Sequence, residues 1–227
     1  MNTMRFYPVL LDIKDRLCLV VGGGEVGARK AKTLASCGAR VNVISPEFSE
    51  RFNDLNDAFD GISLVPKAFE PDDLSAAFLV FAATSDPALN LVIRQEAEEK
   101  GMLCNSSDGD DHGDFILPSV MHKGDLILAV STCGKSPALA RKIRRDLEEN
   151  MGPGIEKLLC LMGGIRKKLL AQGHAPDDHK TTYYALLDAG LMDMVAAEDT
   201  DRIDRLLADV LGKGYIYKEL VSQRSGK

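Results

Sequence analysis

The chain has 227 residues, 45% of them hydrophobic and 27% charged, a composition that fits one large folded domain or two modest ones and excludes wholesale disorder. Lysine and arginine total 28 against 34 aspartate and glutamate, a formal charge of −6, so nothing global draws the chain to nucleic acid and any anionic ligand must be met by local basic clusters. No apolar run approaches the ~20 residues of a membrane-spanning helix, the first residues carry no signal-peptide pattern, and five scattered cysteines without a CxxC pair suit a reducing cytoplasm rather than a disulfide or zinc framework.

In chain order, residues 6–11 form an apolar run interrupted by Pro8, which places them at a sheet edge or outside the sheet. Residues 17–21 (LCLVV) read as the first strand. A glycine-rich turn leads from it into the helical stretch EVGARKAKTLASC, for which Gly38 is a natural stop. Residues 41–44, 62–65, 79–83 and 102–105 read as further strands. Asp86-Pro87 is an N-cap followed by proline at the first helical position, opening a helix through Lys100 that Gly101 ends. Apolar strands separated by helices predict a parallel sheet covered on both faces, a Rossmann-like doubly wound α/β layer.

Downstream the rhythm changes. Residues 115–121 and 126–131 flank His122-Lys123-Gly124-Asp125, which reads as a β-hairpin with a four-residue loop. Ser136-Pro137 caps a long helix, ALARKIRRDLEEN. After Gly152-Pro153-Gly154 the chain reads as helical over 155–172, 180–189 and 200–211. The expected division is residues 1–112 as the Rossmann-like domain, 113–150 as a hairpin-and-helix unit, and 151–227 as a helical C-terminal domain. The hairpin offers apolar strand surface with few ways to hide it, so pairing with a second copy is expected there.

Gly22, Gly24 and Gly27 fit G-x-G-x-x-G directly between the first strand and the first helix. The string is weak by itself; its placement is informative, because glycine there tightens the turn, lets backbone N–H groups approach a pyrophosphate and lets helix and strand pack closely. Such a domain usually carries an acid near the end of its second strand to hold the adenine ribose. Here Ser45 takes roughly that place and Glu47 follows two residues on, reading equally as a ribose acceptor or as a solvated loop residue. No basic residue follows immediately to hold a 2′-phosphate, although Arg51 is close, which leans to NAD over NADP. Arg29 and Lys30 in the first helix read as a solvated face.

Several segments, in order over about residues 5–150, carry a resemblance to a known family. They are Leu19-Val20-Val21-Gly22-Gly23-Gly24-Glu25-Val26-Gly27 with Arg29-Lys30, then Ser45-Pro46-Glu47, Ala82-Ala83-Thr84 and Asn105-Ser106-Ser107-Asp108. Asp114-Phe115-Ile116-Leu117-Pro118 and the run Ser131-Thr132-Cys133-Gly134-Lys135-Ser136-Pro137-Ala138-Leu139-Ala140-Arg141 complete them. Together they resemble the precorrin-2 dehydrogenase and sirohydrochlorin ferrochelatase family, the N-terminal module of siroheme synthesis. The resemblance implies NAD-dependent oxidation of precorrin-2 to sirohydrochlorin in tetrapyrrole (porphyrin-type) biosynthesis, on a cytoplasmic homodimer whose middle segment makes the dimer contact. It assigns catalysis to Asp108 of the N-x-x-D motif. Cofactor contacts fall on Gly22, Gly23, Gly24, Glu25, Val26, Gly27, Ser45, Pro46, Glu47 and Thr84. The sequence departs from the family pattern in having Ser106 and Ser107 where valines are usual, making the floor of the site more polar. Cys133 stands in place of a second glycine, so that turn must accommodate a side chain.

The implied reaction removes a hydride and a proton from the macrocycle, so the protein's work is positioning plus one base. An aspartate desolvated by an apolar macrocycle can serve, and His112 is the other candidate. A polycarboxylate substrate needs local cations and donors. Candidates are Asn105, Ser131, Thr132, Lys135, Ser136 at the helix start, and Arg141; Lys142, Arg144 and Arg145 on the same helix read equally as partners of its acidic residues. His122 reads as a turn residue, and His174 and His179 as parts of a surface loop with Asp177 and Asp178, so no metal site is expected. Two other functions stay open: an enzyme that also inserts iron into sirohydrochlorin, and a non-catalytic module that binds NAD or a tetrapyrrole.

Overall fold

A computed structural model describes residues 5–107, 113–174 and 179–222. Asp108 and His112 lie outside the described residues, as do Asp177 and Asp178. The chain divides into two compact units, Met1–Leu117 and Pro118–Lys227.

The first unit is a five-stranded, all-parallel sheet in the order β3-β2-β1-β4-β5, built from β1 (Leu17–Val21), β2 (Arg40–Ile44), β3 (Ile62–Val65), β4 (Leu79–Ala82) and β5 (Leu103–Ser106). Helices α1 (Glu25–Ser36) and α2 (Arg51–Ala58) and α3 (Pro87–Glu99) complete it. Alternate side chains of each strand enter two separate cores. Cys18, Val20, Val41, Val43 and Phe81 meet Ala28, Ala31, Leu34, Phe52 and Leu55 from α1 and α2. Leu19, Val21, Ile44, Val80, Ala82 and Cys104 meet Ile93 and Ala97 of α3 and Leu74. This two-sided burial is why the strands read as unbroken apolar runs, and it makes the sheet the doubly wound layer expected. The caps form as the sequence signals: Asp86 Oδ1 accepts from Ala88 N at 2.9 Å, and Gly38 and Gly101 take φ of 80° and 67° just past their helices. Residues 6–11 pair with no strand among the described residues.

In the second unit, β6 (Ser119–Lys123) and β7 (Leu126–Val130) form an antiparallel pair in which Lys123 lies opposite Leu126. The connection is therefore the two-residue turn Gly124-Asp125, not a four-residue loop; Gly124 at φ 58° supplies the left-handed residue such a turn needs. Helix α4 (Pro137–Glu149) starts at Ser136, whose Oγ accepts from Leu139 N at 3.2 Å, and packs on both hairpin strands. Helices α5 (Ile155–Ala171), α6 (His179–Asp188), α7 (Leu191–Ala196), α8 (Thr200–Leu211) and α9 (Tyr217–Ser222) enclose a core of Leu158, Leu161, Ile165, Leu186, Leu191, Ile203 and Leu207. Gly164 lets α5 and α9 approach closely, since a Cβ there would stand 2.5 Å from the Leu220 carbonyl oxygen. His179 is buried at 3% exposure, contrary to its reading as a surface-loop residue. No helix among the described residues is long and apolar enough to cross a membrane.

Candidate functional site

In an open parallel sheet, the crevice for a ligand opens at the carboxyl edge where the strand order reverses. Here that point lies between β1 and β4, the strands after which the chain turns to opposite sides. A cavity of about 590 Å³ opens there, lined by Val21–Val26, by Ile44–Glu47 after β2, by Ala68 and Phe69, and by Ala83–Asp86 and Leu89 after β4.

Each glycine of the turn has a distinct task. A Cβ on Gly22, at φ 125°, would stand 2.3 Å from the Ala83 carbonyl oxygen. One on Gly23 would stand 2.0 Å from Glu47 O, and one on Gly27 2.0 Å from Gly22 O. These three positions let β1, the loop after β2, the start of α1 and the segment after β4 converge. Gly24 differs: nothing lies within 4 Å of its missing Cβ, and as the N-cap of α1 it offers no side-chain acceptor to the helix's first N–H groups. Bare backbone and a helix dipole thus face open volume, which is what a pyrophosphate needs. Gly22 N donates to Ile44 O at 2.9 Å and Ser49 N to Gly23 O at 2.8 Å, holding the turn in place.

The residues present fit a dinucleotide. Of the expected cofactor residues, Gly22, Gly23, Gly24, Glu25, Val26, Ser45, Pro46, Glu47 and Thr84 all line the cavity, while Gly27 sits behind the turn. Thr84 is fixed by the fully buried Asn90, whose Oδ1 accepts from Thr84 N at 3.1 Å and Thr84 Oγ1 at 2.8 Å and whose Nδ2 donates to Thr84 O at 3.1 Å. Glu25 forms an ion pair with Arg51 at the start of α2. Phe69 and Leu89 add apolar wall, and Ser85 and Asp86 complete the rim. Sequence reasoning missed these four as site residues. Asp86 carried a visible capping signal, but Phe69 sits on a connecting loop with no pattern to mark it.

At the end of β5 the structure corrects one expectation. Lys30 is not on a solvated face but 9% exposed, with its Nζ donating to Asn105 Oδ1 at 2.6 Å and standing 5.2 Å from the centre of the Phe81 ring. Burial, with Arg29 beside it, pulls its ammonium down from 10.5 to about 8. Asn105 is 4% exposed, and its Nδ2 donates to Phe115 O at 2.8 Å. Ser107 N donates to Ala82 O at 3.0 Å, so the carboxyl edge of the sheet holds the chain as far as Ser107, the residue before Asp108 in the sequence.

The expected substrate residues of the second unit form their own cluster. Ser131 Oγ accepts from Cys133 N at 3.0 Å and Thr132 Oγ1 from Ser136 N at 3.0 Å, shaping a turn in which Cys133 takes φ 53° and so carries a side chain where glycine is favoured. Lys135 and Arg141 are exposed. Lys142 pairs with Asp146 and Arg144 with Glu148 along the helix, whereas Lys135, Arg141 and Arg145 form no ion pair among the described residues.

Sheet order, glycine turn and cavity define the class: an α/β protein with a site shaped for a dinucleotide. Residues 9–119 match the family model described as "Putative NAD(P)-binding", and residues 123–150 the one described as "Sirohaem biosynthesis protein central". Among curated relatives, the siroheme synthase of Nitrosomonas eutropha is 36% identical over 90% of this chain and 43% of its own length, and siroheme synthase 2 of Yersinia enterocolitica 34% identical over 89% and 43%. The chain thus spans less than half the length of these relatives. Among solved structures, SirC, precorrin-2 dehydrogenase, superposes with a TM-score of 0.73 at 25% identity, covering 91% of this chain and 99% of that one. The chain is thus similar to siroheme synthases over a stretch that carries an NAD(P)-binding match followed by a sirohaem central match.

Proposed function

We propose that this chain oxidises precorrin-2 to sirohydrochlorin with NAD, the dehydrogenase step of siroheme biosynthesis. The observation that carries the reading is the glycine-lined cavity at the β1/β4 reversal, in a chain that matches nearly the whole of a precorrin-2 dehydrogenase structure. A bound nicotinamide supplies the hydride acceptor. The chain's own residues do the rest. The turn at Gly22–Gly24 and the first N–H groups of α1 receive the pyrophosphate, and Glu47 accepts from the adenine ribose. Thr84, held by Asn90, borders the reacting end.

The reaction removes one hydride and one proton from the macrocycle, and the proton acceptor we assign to Asp108, the last residue of the Asn-Ser-Ser-Asp motif. An apolar macrocycle against that carboxylate raises its proton affinity toward the working pH. Lys135, Arg141, Ser131, Thr132 and the start of α4 at Ser136 receive substrate carboxylates. NAD is favoured over NADP because the loop after β2 presents Glu47 to the cavity while Arg51, the nearby cation, is engaged by Glu25. A homodimer is supported by the exposed stripe Leu139, Ile143 and Leu147 on α4, with Val120 and Ile127 on the outer face of the hairpin. The test is an anaerobic absorbance trace of the chain with NAD and freshly prepared precorrin-2. NADH and sirohydrochlorin should appear together; cofactor binding without NADH formation would leave only a binding module.

A further inference from the structure

A buried ammonium is costly. Taken out of water, it needs several strong partners to recover its hydration, and a nearly isosteric apolar side chain is usually no worse for stability. Among the described residues Lys30 has one oxygen acceptor, the neutral amide of Asn105 at 2.6 Å, and the face of Phe81 at 5.2 Å. What the cation does is local and specific. It takes the Oδ1 end of Asn105 and thereby fixes which way the amide faces, leaving Nδ2 to reach Phe115 O at 2.8 Å. One residue before, Cys104 N donates to Asp114 Oδ2 at 2.8 Å and Cys104 O accepts from Asp114 N at 2.9 Å. Gly113 bridges to Asn105, at a φ of 77° and so close that a Cβ would stand 2.3 Å from the Cys104 carbonyl oxygen. The end of β5 and the returning segment 113–115 are thus stitched together. Lys30, from α1, holds the amide that spans the stitch.

Asn105 opens the Asn-Ser-Ser-Asp motif. The residue whose amide Lys30 holds is therefore the first of the motif whose last residue is assigned as the base, and Ser107, the last described residue before that aspartate, is tied to the sheet through Ala82 O at 3.0 Å. We propose that Lys30 is a positioning residue for the dehydrogenase reaction, acting through Asn105 to fix the carboxyl end of β5, where the Asn-Ser-Ser-Asp motif starts, against residues 113–115. This rests on the reading of the chain as a precorrin-2 dehydrogenase. It differs from a packing role in what it predicts: the side chain is kept for geometry at the reacting end rather than for the stability of the sheet.

The experiment uses the full chain with NAD and precorrin-2, measuring kcat, KM, nucleotide Kd and melting temperature for wild type, K30M, N105L, the double variant and K30R. A misplacement of about 1 Å can cost on the order of a hundredfold, so K30M and N105L should each lose at least about tenfold in kcat. NAD affinity should stay within about twofold, and K30R, which keeps donor and charge, should recover part of the loss. Because Lys30 acts through Asn105, the double variant should lose no more than the worse single one. K30M with near-normal kcat, additive losses in the double variant, or losses that only follow falling melting temperature would overturn the proposal. Should K30M fail to fold, N105L and K30R decide by the same criteria. A wild-type chain that forms no NADH removes the dehydrogenase reading and this inference with it, whereas an active wild type with an equally active K30M removes the inference alone.

Discussion

Glu25, the first residue of α1, holds Arg51, the first residue of α2, in an ion pair beside the nucleotide cavity, with both side chains largely exposed. The pair adds little to stability. Its effect is on which partner a cation has: Arg51 is the guanidinium nearest in sequence to the loop proposed to meet the adenine ribose, and Glu25 engages it. Replacing Glu25 with Gln should free it, raising affinity for NADP relative to NAD by about fivefold, a change typical of one exposed charge. Titrating both nucleotides against the variant checks this. An unchanged ratio would place the discrimination on Glu47.

Gly24 and Gly27 should respond oppositely to alanine. At Gly27 the new Cβ meets a backbone oxygen 2.0 Å away, so G27A should cost about 1–3 kcal/mol of stability by overpacking and distort the turn. At Gly24 the Cβ enters open space, so G24A should melt within a degree or two of wild type yet weaken NAD binding about tenfold or more by occupying the pyrophosphate's approach. Calorimetry of the two variants with and without nucleotide separates the effects.

Lys30 should leave a pH signature on stability. Its folded-state value, about 8, lies below the ordinary 10.5. At pH 7 it is charged in both folded and unfolded chains, and the folded state bears the full burial cost. Between about pH 8 and 10.5 the unfolded chain holds the proton and the folded chain does not, so this group's contribution to stability rises with pH, by up to about 3 kcal/mol. The buried thiols Cys18 and Cys104 act in the opposite sense, since both are raised from 9.0 to about 11 by burial and lose stability as pH rises through that range. Denaturant midpoints of wild type minus K30M cancel the thiols; the difference should move in favour of wild type from pH 7 to 10.

The exposed stripe on α4 predicts the assembly. I143E, with or without L147E, should convert a dimer into a monomer by light scattering at micromolar concentration without unfolding the nucleotide domain. A wild-type chain that already scatters as a monomer would end the dimer reading.

Much of this was legible in the residues. The five strands, the caps at Asp86 and Ser136, and the glycine turn were marked by local chemistry: apolar runs, a carboxylate before proline, and glycine where backbone meets backbone. What escaped was set by partners distant in the chain. The burial of Lys30 depends on Asn105, 75 residues away, and a lysine in an amphipathic helix gives no sign of it. The sequence makes the hairpin loop look two residues longer than it is, because His122 and Lys123 are polar and their pairing with Ile127 and Leu126 shows only in the register. Phe69 reaches the cavity from a connecting segment with no periodicity to betray it.

Between Pro118 and Asn150 the buried side chains are Met121 and Ala140. Two such anchors offset only a few kcal/mol of the entropy lost when a hairpin and a thirteen-residue helix become ordered. With the proposed second copy covering its outer side, the integrity of that stretch would become a matter of protein concentration. On dilution it should be the first part of the fold nicked by a protease, so that a scarce, newly made polypeptide is short-lived until enough copies accumulate.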